Sequence, residues 1–422
     1  MALSRPAKLF LLAVIIDGIV ISAWWLFFNF YILESGFSRE YLGLVTAASS
    51  MAALLLGIPL GQLSDRIGRK RSMILGVGVY TIACAVEVTV LNPVVILLMA
   101  FIGGAGSMLY LLSQAPFMMR VSGPHDRTLL FSLSFGLVTL SGAAGDLFAG
   151  QLPAAFAYIL NVPAKSAAAY QAVLLSATIF GGLALLPLLL IREPDSLPVP
   201  PGDPQTRLAV RKVIFRPLTI KLALPNLLIG FGAAILIPYM NVFLLERHTI
   251  SDQALGVLFS MLSLFTALGS ILAPRLESGV GGKIRAVVTT QALSLLFLLV
   301  VGFSPLLWLA SVGFLARGAL MNMAVPLYDA FSMEQVPETE QATVNSIKNL
   351  AWQSGWAIGP LLSGFIQTRY GFTPLFLATA MLYALSIGLY FWASRDLPNY
   401  QKLSDYRPPL VTTVYARSGQ VM

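Results

Sequence analysis

Twelve long apolar runs, each ended by a polar or Gly/Pro-rich break, organise the chain: 8–33, 40–62, 72–91, 93–119, 127–151, 168–191, 218–245, 252–274, 285–303, 305–333, 339–366 and 372–394. A helix rising ~1.5 Å per residue crosses the ~30 Å hydrocarbon layer of a bilayer in about 20 residues. Backbone N–H and C=O groups find no water partner in lipid, so such runs favour whole helices. The pattern predicts an all-α membrane protein with twelve transmembrane helices, although run length alone also allows ten or fourteen. The first run follows Arg5 and Lys8 and continues to Leu33. That exceeds the ~7–15 apolar residues of a secretory signal, so it is expected to remain as the first membrane helix.

Composition narrows the class. Of 422 residues, 57% are hydrophobic and 11% charged, against ~25% charged in soluble chains, and the mean hydropathy is +0.79. So few charges cannot solubilise the whole surface, which sets aside a soluble enzyme, a nucleic-acid-binding domain and a disordered chain. Charge placement then gives an orientation. With both termini cytoplasmic, the cytoplasmic segments carry 21 of the 27 Lys and Arg residues, and the opposite side carries Arg39, Lys165, Arg247 and Arg369. This is the positive-inside asymmetry. It accounts for the net charge of +8 without a nucleic-acid partner and predicts a multi-pass protein of the cell membrane. One cysteine, Cys84, and two histidines, His125 and His248, offer neither a disulfide nor a metal site. No Gly-Lys-Ser/Thr loop suggests a nucleotide. No enzyme activity, metal or other cofactor is expected.

The proline-rich polar stretch from Arg192 to Pro217 divides the runs six and six. This predicts an N-terminal bundle (1–191), a cytoplasmic linker (192–217), a C-terminal bundle (218–394) and a cytoplasmic tail (395–422). The halves share sparse identities at an offset of about 213: Phe101 with Phe314, Pro124 with Pro337, Gly142 with Gly355, Gly68 with Gly281 and Lys70 with Lys283. One residue further along, Gly145 and Gly150 match Gly359 and Gly364. Such repeats are a feature of secondary transporters, whose substrate site lies between repeats near the bilayer midplane.

Between runs two and three stands Gly61-Gln62-Leu63-Ser64-Asp65-Arg66-Ile67-Gly68-Arg69-Lys70-Arg71. It resembles the G-x-x-x-D-R-x-G-R-[RK] loop of the major facilitator superfamily, in its drug and metabolite efflux branch by general character. That resemblance implies twelve transmembrane helices in two pseudo-symmetric six-helix bundles. It also implies a cytoplasmic gate motif of Gly61, Asp65, Arg66, Gly68, Arg69 and Lys70. In physical terms, Gly61 allows helices to approach closely and Gly68 a tight turn, while Asp65 suits a helix N-terminus. The resemblance implies that Asp65 contacts the start of helix eleven. The preceding connection, with Glu334, Glu338 and Glu340, suits Arg66, Arg69, Lys70 and Arg71. The alternative is a topogenic basic loop. The second-half counterpart has Ser278 where the aspartate would stand, so an asymmetric latch is expected.

Charges inside membrane helices are costly and functional by default. Asp17 lies ~14 Å into helix one, which normally lines the cavity in this family. A carboxylate in apolar surroundings can carry a proton, so Asp17 is the leading proton-coupling residue; the bland reading is a paired or capping acid. Arg317 in helix ten suits an anionic substrate or an acid such as Asp17. Asp329 and Lys348 read equally as a structural pair or a gate. Asp146 on helix five is a secondary candidate, and Glu87 near the end of helix three is expected to snorkel. Candidate cavity residues are Trp24, Phe28, Asn29, Tyr110, Gln114, Tyr239, Asn241, Asn322, Tyr328, Trp352, Gln353 and Trp356. They supply the apolar lining with a few polar groups typical of ligand pockets. Belt or packing roles compete for each aromatic.

The direction of transport stays open. Helix five carries Gly136, Gly142, Gly145 and Gly150, with Gly150 where exporters of the superfamily have proline. A Gly-Pro segment, Gly355 to Pro360, lies on helix eleven instead and should kink it. The expected reading is a secondary active transporter moving a small organic, amphipathic solute by alternating access, with proton-coupled efflux as working mechanism. Its partners are the solute, protons and the lipid bilayer, and it is expected to be a monomer. Symport or facilitated diffusion of a metabolite or organic anion, a lipid flippase and a non-transporting sensor are the alternatives.

Overall fold

In the computed structural model the described residues are 3–123, 126–192, 213 and 215–396. Most of the 192–217 connection and the tail beyond Asp396 fall outside them. The predicted runs become helices close to their expected limits. Span 1 is Arg5–Glu34, span 2 Arg39–Ile67, span 3 Arg69–Thr89 and span 4 Pro93–Val121. Span 8 is Asp252–Val280, span 9 Lys283–Phe303, span 10 Leu307–Glu334, span 11 Glu338–Tyr370 and span 12 Thr373–Asp396. Spans 5, 6 and 7 are broken, and the breaks fall where proline or glycine weakens the helix. Span 5 is Arg127–Ala149 followed by Leu152–Leu160, with Pro153 opening the second piece. Span 6 is Ala167–Gly182 then Leu185–Leu190. Span 7 is Pro217–Ala234, a single 3-10 turn at Ile237–Tyr239, and Met240–His248.

Eleven described helices are long and apolar enough to cross a membrane. Span 11 is the exception: it has 33 residues but a more polar sequence, and it packs along spans 2 and 7. Large apolar side chains such as Leu55, Ile58, Ile82 and Ile271 point outward and exposed, which suits a hydrocarbon surround.

The offset between the halves reappears as geometry. Spans 2 and 8 both contain 29 residues and begin at Arg39 and Asp252, and spans 3 and 9 both contain 21. The serine before each long helix caps it in the same way. Ser38 Oγ accepts from the Tyr41 N–H, and Ser251 Oγ accepts from the Ala254 N–H, both at 3.2 Å, satisfying donors that the first turn leaves open. The turns that follow match as well, with positive φ at Gly68 (91°) and at Gly281 (78°) and Gly282 (129°). A side chain there would be strained.

Spans 1–6 pack chiefly on one another, as do spans 7–12, and the halves meet where span 2 crosses span 11 and span 5 crosses span 8. We call the end bearing Arg5, Gly68 and Val280 the basic end, and the opposite end, bearing Arg39 and Asp252, the far end.

Candidate functional site

Two adjoining cavities lie within the first half. One, of about 350 Å³, is bounded by spans 1–4 and closed by Pro238 and Trp356 from the second half. The other, of about 240 Å³, lies among spans 1, 3, 4 and 6. They share a wall of Ile21, Trp24, Tyr80, Cys84 and Ser107. Close packing builds this wall: a Cβ at Gly76 on span 3 would sit 2.7 Å from the Gly106 carbonyl on span 4, so only glycine lets the two backbones meet.

Asp17 lines the second cavity together with Tyr110 and Gln114. Its carboxylate has no hydrogen bond or ion pair among the described residues, and the buried Tyr110 hydroxyl has no partner either. Trp24 stands between the cavities. Its indole N–H donates to Thr178 Oγ1 at 3.2 Å, and its ring stacks on Phe28 with centroids 5.1 Å apart. Phe28, Asn29 and Trp356 line the first cavity.

Sequence reasoning missed the contribution of span 3. Glu87 does not snorkel: it is 6% exposed and lines the first cavity. The physical reason is rotational, since Tyr80, Cys84 and Glu87 fall on one face at i, i+4 and i+7, and that face turns inward. Thr46, Ser49 and Ser50 of span 2 add hydroxyls to the same cavity. Their only signal in the sequence is a small polar cluster in an apolar run.

The far end is tied shut between the halves. Asn29 Nδ2 donates to the Pro238 carbonyl at 2.6 Å and to Asn241 Oδ1 at 2.9 Å, and Asn241 Nδ2 donates to the Leu26 carbonyl at 2.9 Å. The break in span 7 frees these groups to bridge. Arg39 pairs with Glu246, Trp25 meets Trp356 edge-on at 6.0 Å, and Ser263 Oγ donates to Asp146 Oδ2 at 3.3 Å. Tyr239, fully buried, donates to the Pro360 carbonyl within its own half at 3.4 Å. Where spans 5 and 8 cross, a Cβ on Gly256 would lie 2.6 Å from the Asp146 carbonyl and 2.8 Å from Gly150 Cα.

At the basic end the gate motif makes its contacts within the first half. Asp65 pairs with Arg69, and Arg69 also donates to Ser64 Oγ at 2.8 Å. Lys70 Nζ donates to the Leu189 carbonyl at 3.0 Å, while Arg66 is exposed. Glu334 pairs with Lys283, and Glu340 with Arg216. The expected partnership of the gate motif with Glu334 and Glu340 is therefore not made in this conformation, because each acid has a nearer cation. The Glu338 side chain lies outside the described residues. Gly61 does not serve close packing here either: a Cβ at that position would have nothing within 4 Å.

In the second half, the expected approach of Arg317 to Asp17 is absent. Arg317 is buried and donates from Nη2 to the Tyr383 hydroxyl at 3.0 Å, and it lines neither cavity. Tyr328 is a packing residue, donating to the Leu222 carbonyl at 2.6 Å, and Asn322 donates to the Gly318 carbonyl on its own helix. Trp352 and Gln353 also lie away from both cavity walls, Trp352 against Gly230 of span 7. Lys348 Nζ, 1% exposed, contacts Asp329 Oδ1 at 2.7 Å and lies 4.7 Å from the Tyr328 ring centre. Removing one partner of a fully buried pair costs ~3–5 kcal/mol. The Asp329 side chain is 53% exposed, so Asp329→Ala should cost only about 1–2 kcal/mol. Thermal unfolding in detergent checks this: adding Lys348→Met should restore the lost stability, and no change on Asp329→Ala would show that water suffices for Lys348.

The fold is that of a multi-span membrane protein with two internal cavities. Residues 10–276 and 222–420 match the sequence model of the Major Facilitator Superfamily, and the chain belongs to that family of multi-span transporters. It is 26% identical over 173 residues to the multidrug resistance protein MdtG of Yersinia enterocolitica, covering 39% of this chain and 41% of that protein. Over 160 residues it is 27% identical to MdtG of Serratia proteamaculans, covering 36% and 38%. The match thus spans about two fifths of these curated relatives. Among solved structures it resembles a bacterial homolog of the human lysosomal transporter Spinster, described as inward-facing and unoccupied. That likeness has a TM-score of 0.74 at 18% identity, covering 96% and 98% of the two chains. It also resembles the nucleoside transporter NupG, with a TM-score of 0.72 at 14% identity, covering 93% and 99%.

Proposed function

We propose that the protein is a proton-coupled secondary transporter exporting a small, amphipathic organic solute by alternating access. Residues 1–191 and 218–394 move as two bodies, and the termini and basic end face the cytoplasm. The carrying observation is the second cavity, where Asp17 faces an apolar, aromatic space without a counter-charge. A carboxylate in that setting takes up a proton readily, and charge neutralisation then changes what the cavity accepts. The ties across the far end support a state closed to the outside, with the solute admitted from the cytoplasm. The multidrug resistance proteins among the relatives support export. Arg317, turned away toward Tyr383, lends nothing to an anion reading.

The open space at Gly61 and the internal Asp65–Arg69 pair support a motif that latches only when the basic end closes. Asp65→Asn should then hold the protein in the conformation closed at the far end and slow transport about tenfold, the cost of one charge-assisted hydrogen bond of ~1.4 kcal/mol. Initial rates in proteoliposomes measure it, and unchanged rates would remove Asp65 from the gate. The function itself is tested by imposing a pH gradient on proteoliposomes and screening amphipathic solutes. Uncoupler-sensitive accumulation is expected; accumulation indifferent to an uncoupler would refute proton coupling.

A further inference from the structure

Glu87 is a further buried acid in this half, and nothing in the coupling scheme above uses it. It is 6% exposed, lines the first cavity, and has no hydrogen bond or ion pair among the described residues. A charge facing an apolar, aromatic cavity without a partner is disfavoured unless something supplies the opposite charge. Among the described residues no Lys, Arg or His lines either cavity, so their walls do not supply it. The surrounding walls suit a cation. Trp24 stacks on Phe28, and Trp25 meets Trp356 edge-on, offering ring faces of the kind that attract positive charge. Tyr80 lines both cavities, the one with Asp17 and the one with Glu87. The volume of about 350 Å³ falls within the ~300–1,000 Å³ of small-ligand pockets.

We infer that the first cavity is a binding site for a monovalent organic cation with an aromatic body, whose charge is met by Glu87 and whose rings lie against Trp24 and Phe28. The inference rests on the transporter reading and deepens it by dividing two duties: Glu87 takes the charge of the solute, and Asp17, in the adjoining cavity, is left free for the proton. The site then belongs to the first half, with Pro238 and Trp356 as its contacts from the second among the described residues.

The test is equilibrium binding to the full-length purified protein in detergent, corrected for micelles alone. The probes are tetraphenylphosphonium and its near-isosteric anion tetraphenylborate. Wild type should bind the cation saturably and at least tenfold more tightly than the anion. Glu87→Gln should weaken the cation at least tenfold, and Glu87→Asp should recover part of that loss. Equal or tighter binding of the borate to wild type would overturn the inference, and this arm needs no variant to fold. So would undiminished cation binding to a Glu87→Gln protein that elutes as a single folded species. Binding is read without flux, so a protein that binds the cation but accumulates nothing would fail the transport reading while leaving this one standing.

Discussion

Asp17→Asn should abolish accumulation driven by a pH gradient while leaving solute exchange between equal pools intact. One pH unit is worth ~1.4 kcal/mol per coupled proton, a tenfold concentration ratio at equilibrium. Wild-type proteoliposomes under a one-unit gradient should therefore concentrate a neutral solute, or exchange a charged one, up to about that ratio. The asparagine variant should stop at equality. The geometry explains the size of the effect. Asp17 faces the second cavity with Tyr110 and Gln114, and no neighbouring described group makes a hydrogen bond or ion pair with it. Asparagine is nearly the same shape, so the cavity and its contacts should survive, and counterflow should persist. A variant that still concentrates solute to the wild-type ratio would remove Asp17 from the coupling step and turn attention to Asp146, buried and bonded to Ser263 across the span 5–span 8 crossing.

Gly256→Leu should prise the far end open. The helices cross there with no room for a side chain, since the first added carbon would lie 2.6 Å from the Asp146 carbonyl and 2.8 Å from Gly150 Cα. Backbone cannot yield as a flexible side chain can, so spans 5 and 8 must separate. These spans belong to different halves, and each half retains its own packing, so the protein should remain folded while the balance of states shifts. A displacement worth ~3 kcal/mol, typical of overpacking a tight contact, moves that balance by about 100-fold, and net transport should fall correspondingly. The lone cysteine provides a direct reading. Cys84 is buried in the wall shared by both cavities. An impermeant maleimide added to the far face should label it at least tenfold faster in the variant. Labelling at the wild-type rate would mean that the far end opens elsewhere.

The sequence carries the fold plainly because lipid imposes one length scale on every helix. Polar breaks such as Arg66–Arg71 and the Asn92–Pro93 step stop the runs within a few residues of the observed ends. The interruptions in spans 5, 6 and 7 are not legible: the fifth run is expected to end at residue 151, before Pro153 and the second piece of span 5, and Pro238 lies in a run whose hydropathy never falls. Helix rotation was harder still. In a soluble helix the polar face marks the outside. Here lipid and neighbouring helix are both apolar, so nothing near Glu87 says which side faces a cavity, and it was misread as a residue reaching for the surface. Asn29 and Asn241 read as cavity amides for the same reason, although Asn241 spends its groups tying the two halves together and Asn29 does both. The ionisable groups were legible as exceptions to their surroundings. The Asp329–Lys348 pair is one of the two readings the sequence offers, and the structure contains it; the partner of Arg317 is not legible, because Tyr383 is brought to it by tertiary packing that spacing does not encode.

Among the described residues, Pro238 and Trp356 are all that the second half contributes to the larger cavity, and this bears on how the protein would do work. A cargo held there travels with one rigid partner and loses merely a lid when the other swings away. Its intrinsic affinity then differs little between the two faces of the bilayer, so the scaffold itself favours neither. Net direction must come from whichever ion gradient decides when the lid is free to move, and reversing that gradient should run the same machine backwards.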